Sequence, residues 1–194
     1  GHSLGEYSAL AAAGALSITD AARLLRKRGE AMQAAAPAGT GAMAALIGKV
    51  DVEIAEIIAL EGSAAGTVVV ANDNNAGNVV ISGSKAGVEA AIVAAKAKGV
   101  KAIPLPVSAP FHSPLMAPAS LVMEEALAAA KVMKPVVPVV ANVTARPISE
   151  PSDIRRLLVE QVTGRVRWRE TVEWFGAHGV TTLYEVGSGK VLSG

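Results

Sequence analysis

Gly1-His2-Ser3-Leu4-Gly5 sets a serine between two glycines at the head of a helical pattern, and that arrangement turns a hydroxyl into a nucleophile. In such an elbow a strand bends sharply into a helix, and the serine takes a strained backbone conformation that exposes its Oγ. The flanking glycines let neighbouring chain come close. The Leu4 N–H then points to where a tetrahedral oxyanion would form, and the helix N-terminus adds partial positive charge. Because the pentapeptide also occurs as an ordinary glycine-rich turn, Ser3 needs a partner base.

Three histidines are available. His2 lies inside the elbow, too close in sequence to reach the Ser3 hydroxyl easily, and His178 precedes Gly179, where a cation ordinarily caps a helix C-terminus. His112 differs, for it sits in Ser108-Ala109-Pro110-Phe111-His112-Ser113-Pro114, a proline-bounded loop between a strand and a helix. Loops of that kind commonly carry functional groups, and a serine nucleophile requires an imidazole to take its proton. Ser3 and His112 are therefore the expected nucleophile and base.

Arg28 is singled out by helical periodicity. Leu25, Arg28, Gly29, Met32 and Ala36 fall on one apolar stripe, while Arg23, Lys27 and Glu30 lie on another face. An inward guanidinium keeps its proton and needs a carboxylate, which either an internal Asp or Glu or a carboxylated substrate could supply. Gly187-Ser188-Gly189-Lys190 is too short for a phosphate-binding loop and lacks the following Ser or Thr. Arg155, Arg156, Arg165, Arg167 and Arg169 read as a solvated face.

The composition limits the alternatives. With 194 residues, 51% hydrophobic, the chain holds enough apolar surface for a real core, built mainly from aliphatic residues because only 3% are aromatic. Lys plus Arg number 18 against 17 Asp plus Glu, which leaves no electrostatic footprint for nucleic acid or an anionic membrane. The absence of cysteine excludes disulfides, thiolate metal sites and a cysteine nucleophile. No apolar run has the length of a bilayer span, so a cytoplasmic protein without a metal is expected. An elbow needs a strand ahead of it, and the chain starts at Gly1; we expect an internal segment, incomplete at both ends.

The elements that must position these residues fall into two textures. Leu4 to Ala13 reads as a short helix closed by Gly14, and a second runs from Ile18-Thr19, with Thr19 as N-cap and Ile18 as staple, to about Ala36. Strands at Gly41–Ile47, Thr67–Ala71, Asn78–Ser82 and Val100–Leu105 alternate with helices from Asp51 to Leu60 and Ser84 to Lys98, with Asn72–Gly77 as a loop. The order βαββαβ is that of a ferredoxin-like unit. From Ser113, an N-cap followed by Pro114, a helix runs to about Lys131. Val136–Ala141 reads as a buried parallel strand, Asp153–Val162 and Trp168–His178 as helices, and Thr181–Val186 as a strand. This predicts an α/β fold: a parallel-sheet core from residues 1–38 and 108–194, interrupted by a small insert at 39–107, with the site where they meet.

Gly1-His2-Ser3-Leu4-Gly5-Glu6-Tyr7, Arg28-Gly29, Gly39-Thr40-Gly41-Ala42-Met43, Ala109-Pro110-Phe111-His112-Ser113 and Tyr184-Glu185-Val186-Gly187 together resemble the malonyl-CoA:acyl carrier protein transacylase family across essentially the whole chain. The resemblance implies an α/β-hydrolase-like core with a ferredoxin-like insert. It implies a Ser-His dyad of Ser3 and His112, the histidine oriented by a backbone carbonyl at the position of Gln161 instead of by an aspartate. It matches Arg28 to the arginine that pairs with the free carboxylate of malonyl. Malonyl-CoA would be the substrate, the phosphopantetheine thiol of acyl carrier protein the acceptor, and no cofactor would be bound. Leu4 and Phe111 look like those of malonyl-selecting members, Phe111 crowding any substituent on the malonyl α-carbon. In this family the second oxyanion donor comes from a glutamine-containing motif near the N-terminus, outside this sequence, so these 194 residues alone are expected to be nearly inert.

Two other readings compete. A serine esterase or thioesterase would need an acidic residue between nucleophile and histidine in chain order; outside the early helix only Asp51 and Asp73 qualify, both in the insert. A non-catalytic fragment that binds acyl carrier protein is the other.

Overall fold

The elbow leads directly into helix α1 (Leu4–Ala12), which ends where Gly14 adopts φ 75°. Helix α2 (Ile18–Ala35) follows, and its N-cap is Ser17, whose Oγ accepts from the Asp20 N–H. The expected cap at Thr19 is thus two residues late, and Ile18 is 82% exposed, so it staples nothing. The structure is a computed structural model that describes residues 1–107, 109–187, 189–190 and 192–193.

Strand β1 (Gly41–Ile47), helix α3 (Val52–Gly62), strands β2 (Val68–Asn75) and β3 (Asn78–Ser84), helix α4 (Lys85–Ala97) and strand β4 (Lys101–Pro104) come next. Asp51 and Ser84 cap α3 and α4, as their positions predicted. β1 lies antiparallel between β3 and β4, β2 is antiparallel to β3, and the short β7 (Val166–Arg167) adds in parallel to β2. The sheet is mixed. Because side chains alternate along a strand, Ala44 and Leu46 pack with Val68, Val79 and Ile81 against α3 and α4. Met43 and Ala45 point the other way, where Ala71, Val80 and Phe111 join them. β2 runs four residues past its predicted end, which converts most of the expected Asn72–Gly77 loop into strand and leaves a tight turn at Ala76-Gly77.

Beyond β4, a 3₁₀ turn (Pro114–Met116) leads into α5 (Ala117–Ala129), and α6 (Pro151–Glu160) and α7 (Trp168–Ala177) follow. Ser113 heads the 3₁₀ turn without capping it; its Oγ–H donates to the Pro110 carbonyl and closes the loop on itself. Tyr7, Leu10, Leu24, Met32, Met123, Leu127, Ile154 and Leu158 form the larger core between α1, α2, α5 and α6. Phe111 packs against this cluster as well as the sheet face, so it sits at the seam between the two.

Two strand expectations are corrected. Of Val136–Ala141 only β5 (Val139–Ala141) forms, and it pairs antiparallel with β6 (Arg146–Ile148). Pro135 and Pro138 bracket Val136 and Val137; a proline has no N–H for a ladder, and both valines stay exposed. Thr181–Val186 forms no strand, because apolar alternation becomes a strand only with a ladder partner, and none runs beside it among the described residues. Among the described residues of 1–38 and 108–194 the expected parallel sheet does not form; the parallel pairing present, β2–β7, joins β7 to the sheet of β1 to β4. Ser108 of the proline-bounded loop and Ser188 of the Gly187-Ser188-Gly189-Lys190 stretch lie outside the described residues. None of the described helices is long and apolar enough to cross a membrane.

Candidate active site

Ser3 heads α1 with φ 48° and ψ −106°, a conformation that L residues rarely adopt. A Cβ on Gly1 would meet the Gly5 carbonyl at 1.9 Å, so the first glycine of the pentapeptide is needed for close approach of the two arms. Two side chains brace the strained residue: Asn142 Oδ1 accepts from the Ser3 N–H at 2.7 Å, and Gln161 Nε2 donates to the Ser3 carbonyl at 3.0 Å. The Leu4 N–H is among the helix-leading donors without an intrahelical acceptor.

His112, 109 residues away in sequence, brings Nε2 to 2.8 Å from Ser3 Oγ. Its Nδ1 faces the Gln161 carbonyl at 2.9 Å and the Gly164 carbonyl at 3.2 Å. Carbonyls only accept, so Nδ1 carries the proton and Nε2 presents its lone pair to the serine hydroxyl. That is the tautomer a general base needs, set without a carboxylate. Asp51 caps α3 and Asp73 pairs with Arg169, so neither supplies the third member of an esterase triad.

Burial, helped by the Arg28 charge, pushes the His112 imidazole down to about 4. The base is therefore neutral across the physiological range. We expect His112 to put no acid limb near pH 6.5 into kcat/KM for acylation by a thioester without a carboxylate, measured on the free protein; a limb there would contradict the burial argument. Between about 4 and 6.5 the unfolded chain binds a proton that the native imidazole refuses, so this group's contribution to stability is lost as pH falls through that window.

Arg28 projects inward from α2, only 7% exposed, on a stripe with Ala21, Leu24 and Met32; Gly29 lies outside it and is exposed. Its Nη2 donates to Ser3 Oγ at 3.1 Å and to Gln161 Oε1 at 3.0 Å, while its buried Nε has no partner. Among the described residues no carboxylate stands within ion-pair distance of it. A buried guanidinium in that state is costly and is ready to take an incoming carboxylate beside the nucleophile.

Sequence reasoning missed three contributors. Glu6 is fully buried although an acidic residue in a first helical turn ordinarily faces solvent; it accepts from the Asn142 N–H and from Gln161 Nε2. Its burial raises the carboxyl to about 7. Asn142 follows β5 directly, a polar residue at the carboxyl end of an apolar strand, which was the available signal. The Gln161 side chain joins Glu6 to Arg28. His2 does not touch Ser3 Oγ: its Nε2 donates to Asn74 Oδ1 at 2.9 Å and its ring meets Trp168 edge-on. A cleft of about 320 Å³ starts at His2 and is walled by Asn74, Asn75, Asn78 and Trp168.

Of the arginine cluster Arg156 lies on an exposed face, paired with Asp153 and Glu160, whereas the other four are half-buried. Arg155 donates to the Leu127 and Ala130 carbonyls at the end of α5, Arg165 pairs with Glu56, and Arg169 pairs with the buried Asp73 at 2.9 Å. The last two tie the residues around β7 to α3 and β2. Leu4 is 55% exposed beside the nucleophile, and Phe111 is partly buried next to the base.

Comparison with known proteins fits this geometry. The family model described as acyl transferase domain matches residues 1–188. A malonyl CoA-acyl carrier protein transacylase of Bacillus subtilis is 50% identical over 196 aligned residues, taking in all of this chain and 62% of the relative. The crystal structure of an acyl-carrier-protein-S-malonyltransferase from Bartonella henselae superposes with a TM-score of 0.95 at 57% identity, covering 99% of this chain and 61% of the other. A holo complex of a type II polyketide acyl-carrier protein with its malonyl-transacylase gives 0.96 at 44% identity, covering 99% and 62%. This chain thus spans somewhat over three-fifths of the length of such relatives, and with a serine elbow, an imidazole on its hydroxyl and a family match over nearly every residue, it belongs to the acyl transferase domain family.

Proposed function

We propose that this chain carries the acyl-transfer centre of a malonyl-CoA:acyl carrier protein transacylase. The observation that carries the reading is the convergence on one atom, Ser3 Oγ, of a neutral imidazole at 2.8 Å and a guanidinium at 3.1 Å. His112 Nε2 takes the Ser3 proton as Oγ attacks the thioester carbonyl. The C–S bond then breaks, and the imidazolium returns its proton to the coenzyme A thiolate. Malonyl-Ser3 remains, its carboxylate against Arg28. The phosphopantetheine thiol of acyl carrier protein next gives its proton to His112 and attacks the ester, and Ser3 leaves with that proton restored. The Leu4 N–H serves as one oxyanion donor.

We read 39–107 as a ferredoxin-like insert, supported by the element order and by the strand order β4-β1-β3-β2. We read 1–38 and 108–194 as part of an α/β-hydrolase-like core, supported by the elbow entering α1 and by the superposition on transacylase structures. The reaction as written needs no cofactor beyond the pantetheine arms, and the reading carries a cytoplasmic location with it. Incubation with malonyl-CoA followed by intact-mass measurement tests it. A malonyl adduct on Ser3 that acyl carrier protein discharges supports transfer, fast release of free malonate supports an esterase, and no adduct supports a binding fragment.

Phe111, at the seam beside the base, restricts the space next to the malonyl α-carbon. One methyl group is worth only ~1–3 kcal/mol of discrimination. Phe111→Ser should therefore bring rates on malonyl-CoA and methylmalonyl-CoA together; an unchanged preference removes Phe111 from the selectivity argument.

A further inference from the structure

Glu6 follows Ser3 by three residues on α1, which places it one turn behind the nucleophile, and it is fully buried. It touches neither Ser3 Oγ nor His112. What it holds is the Gln161 carboxamide, also fully buried. Gln161 Nε2 donates to Glu6 Oε2 at 2.7 Å, to the Ser3 carbonyl at 3.0 Å and to Asn142 Oδ1 at 3.2 Å. Its Oε1 accepts from Arg28 Nη2 at 3.0 Å.

The two ends of a carboxamide have nearly the same shape, so only the surrounding donors and acceptors decide which way it points. Turned over, the Gln161 oxygen would face a carboxylate, a carbonyl and an amide oxygen, and its NH₂ would face a guanidinium that can only donate. Of the three acceptors, Glu6 alone is ionisable and makes the shortest contact, so it contributes most to the orientation. The arrangement has a second consequence. With the amide interposed, the carboxylate lies close enough to favour the Arg28 charge but does not occupy its fork, and Arg28 Nε is left without a partner. A direct Glu–Arg pair would fill the place a substrate carboxylate takes.

We propose that Glu6 is a positioning residue which, by fixing the direction of the Gln161 carboxamide, aims Arg28 at the carboxylate of the acyl group. The inference rests on the malonyl-transfer reading above. Its test is the ratio of kcat/KM for malonyl-CoA to that for acetyl-CoA in Glu6→Ala and Glu6→Gln. Glu6→Ala should lower the ratio about tenfold or more, the order expected when a buried hydrogen bond is lost, with the loss in the malonyl-CoA KM. Glu6→Gln should restore most of it, since its amide oxygen can accept from Gln161 Nε2 and the Asn142 N–H while its NH₂ takes the side of the unpartnered Oε1. A merely structural residue would lower both substrates in proportion.

Should Glu6→Ala not fold, Gln161→Leu removes the same amide while keeping the main-chain carbonyl on His112, and it should lower the ratio alike. A ratio unchanged in Glu6→Ala or Gln161→Leu overturns the proposal, as does Glu6→Gln falling as far as Glu6→Ala. If the unsubstituted protein loads malonyl on Ser3 while the ratio stays put, only this inference fails. If it loads none, the transfer reading fails with it.

Discussion

Replacing Ser3 by alanine should abolish the malonyl adduct outright, and replacing His112 should slow its formation on the order of 10³-fold or more, because the two work as one unit. The geometry makes the effect large. Ser3 Oγ has one base, His112 Nε2 at 2.8 Å, and the imidazole is held in the proton-accepting tautomer by the Gln161 and Gly164 carbonyls. No second histidine takes its place, since His2 is turned to Asn74 and His178 lies on α7's end against Trp174. Rapid-quench intact-mass measurement with malonyl-CoA gives the rate directly. The double variant should lose no more than Ser3→Ala alone, as losses within one dyad do not add. A His112→Ala protein that acylates at nearly the parent rate would dismiss the imidazole as base, whatever its distance from the hydroxyl.

Arg28→Ala should cost malonyl transfer about 100-fold more than acetyl transfer, the scale of leaving a buried carboxylate without its charged, hydrogen-bonded partner. The reason lies in what surrounds the guanidinium. It is 7% exposed, its Nε is unpartnered, and the nearest balancing charge reaches it only through the Gln161 amide. A substrate carboxylate arriving there gains nearly the full strength of the pair, and acetyl has none to offer. Arg28→Lys should recover only part of the difference, since an ammonium lacks the planar fork. Steady-state kinetics on the two thioesters measure it. Equal losses on both would assign Arg28 to the architecture of the elbow instead of to the acyl group.

The two experiments separate parts of the site that sequence revealed to different degrees. The elbow was legible because its requirement is local: a glycine ahead of a small nucleophile and a helix after it, whereas a Cβ on Gly5 would meet open space. Ser3 at φ 48° and the clash a Cβ on Gly1 would make are the structural form of that requirement. Arg28 was legible as an inward residue from helical period, though the same period wrongly placed Gly29 on the stripe, because five positions spread over an arc wider than the buried face. Glu6 and Asn142 were not legible as site residues. Each acts through a partner more than a hundred positions away in the chain, and no local pattern encodes such a pairing.

The same division runs through the fold. Caps, turn glycines and strand periods are short-range and placed β1, α3 and α4 nearly to the residue, while Ser17 displaced Thr19 because two hydroxyls two positions apart could serve one helix start. Pairing is long-range. Val136–Ala141 and Thr181–Val186 had the apolar content of strands, yet prolines broke one and no ladder formed beside the other. By itself the sequence determined which residues are candidates for chemistry, since side-chain type, backbone strain and helical period are properties of a few neighbouring positions. Only the tertiary structure decided that His112 meets Ser3, that its tautomer is set by carbonyls, and that the charge nearest Arg28 stops one amide short. Those outcomes depend on distances between segments, and burial converts such distances into energy.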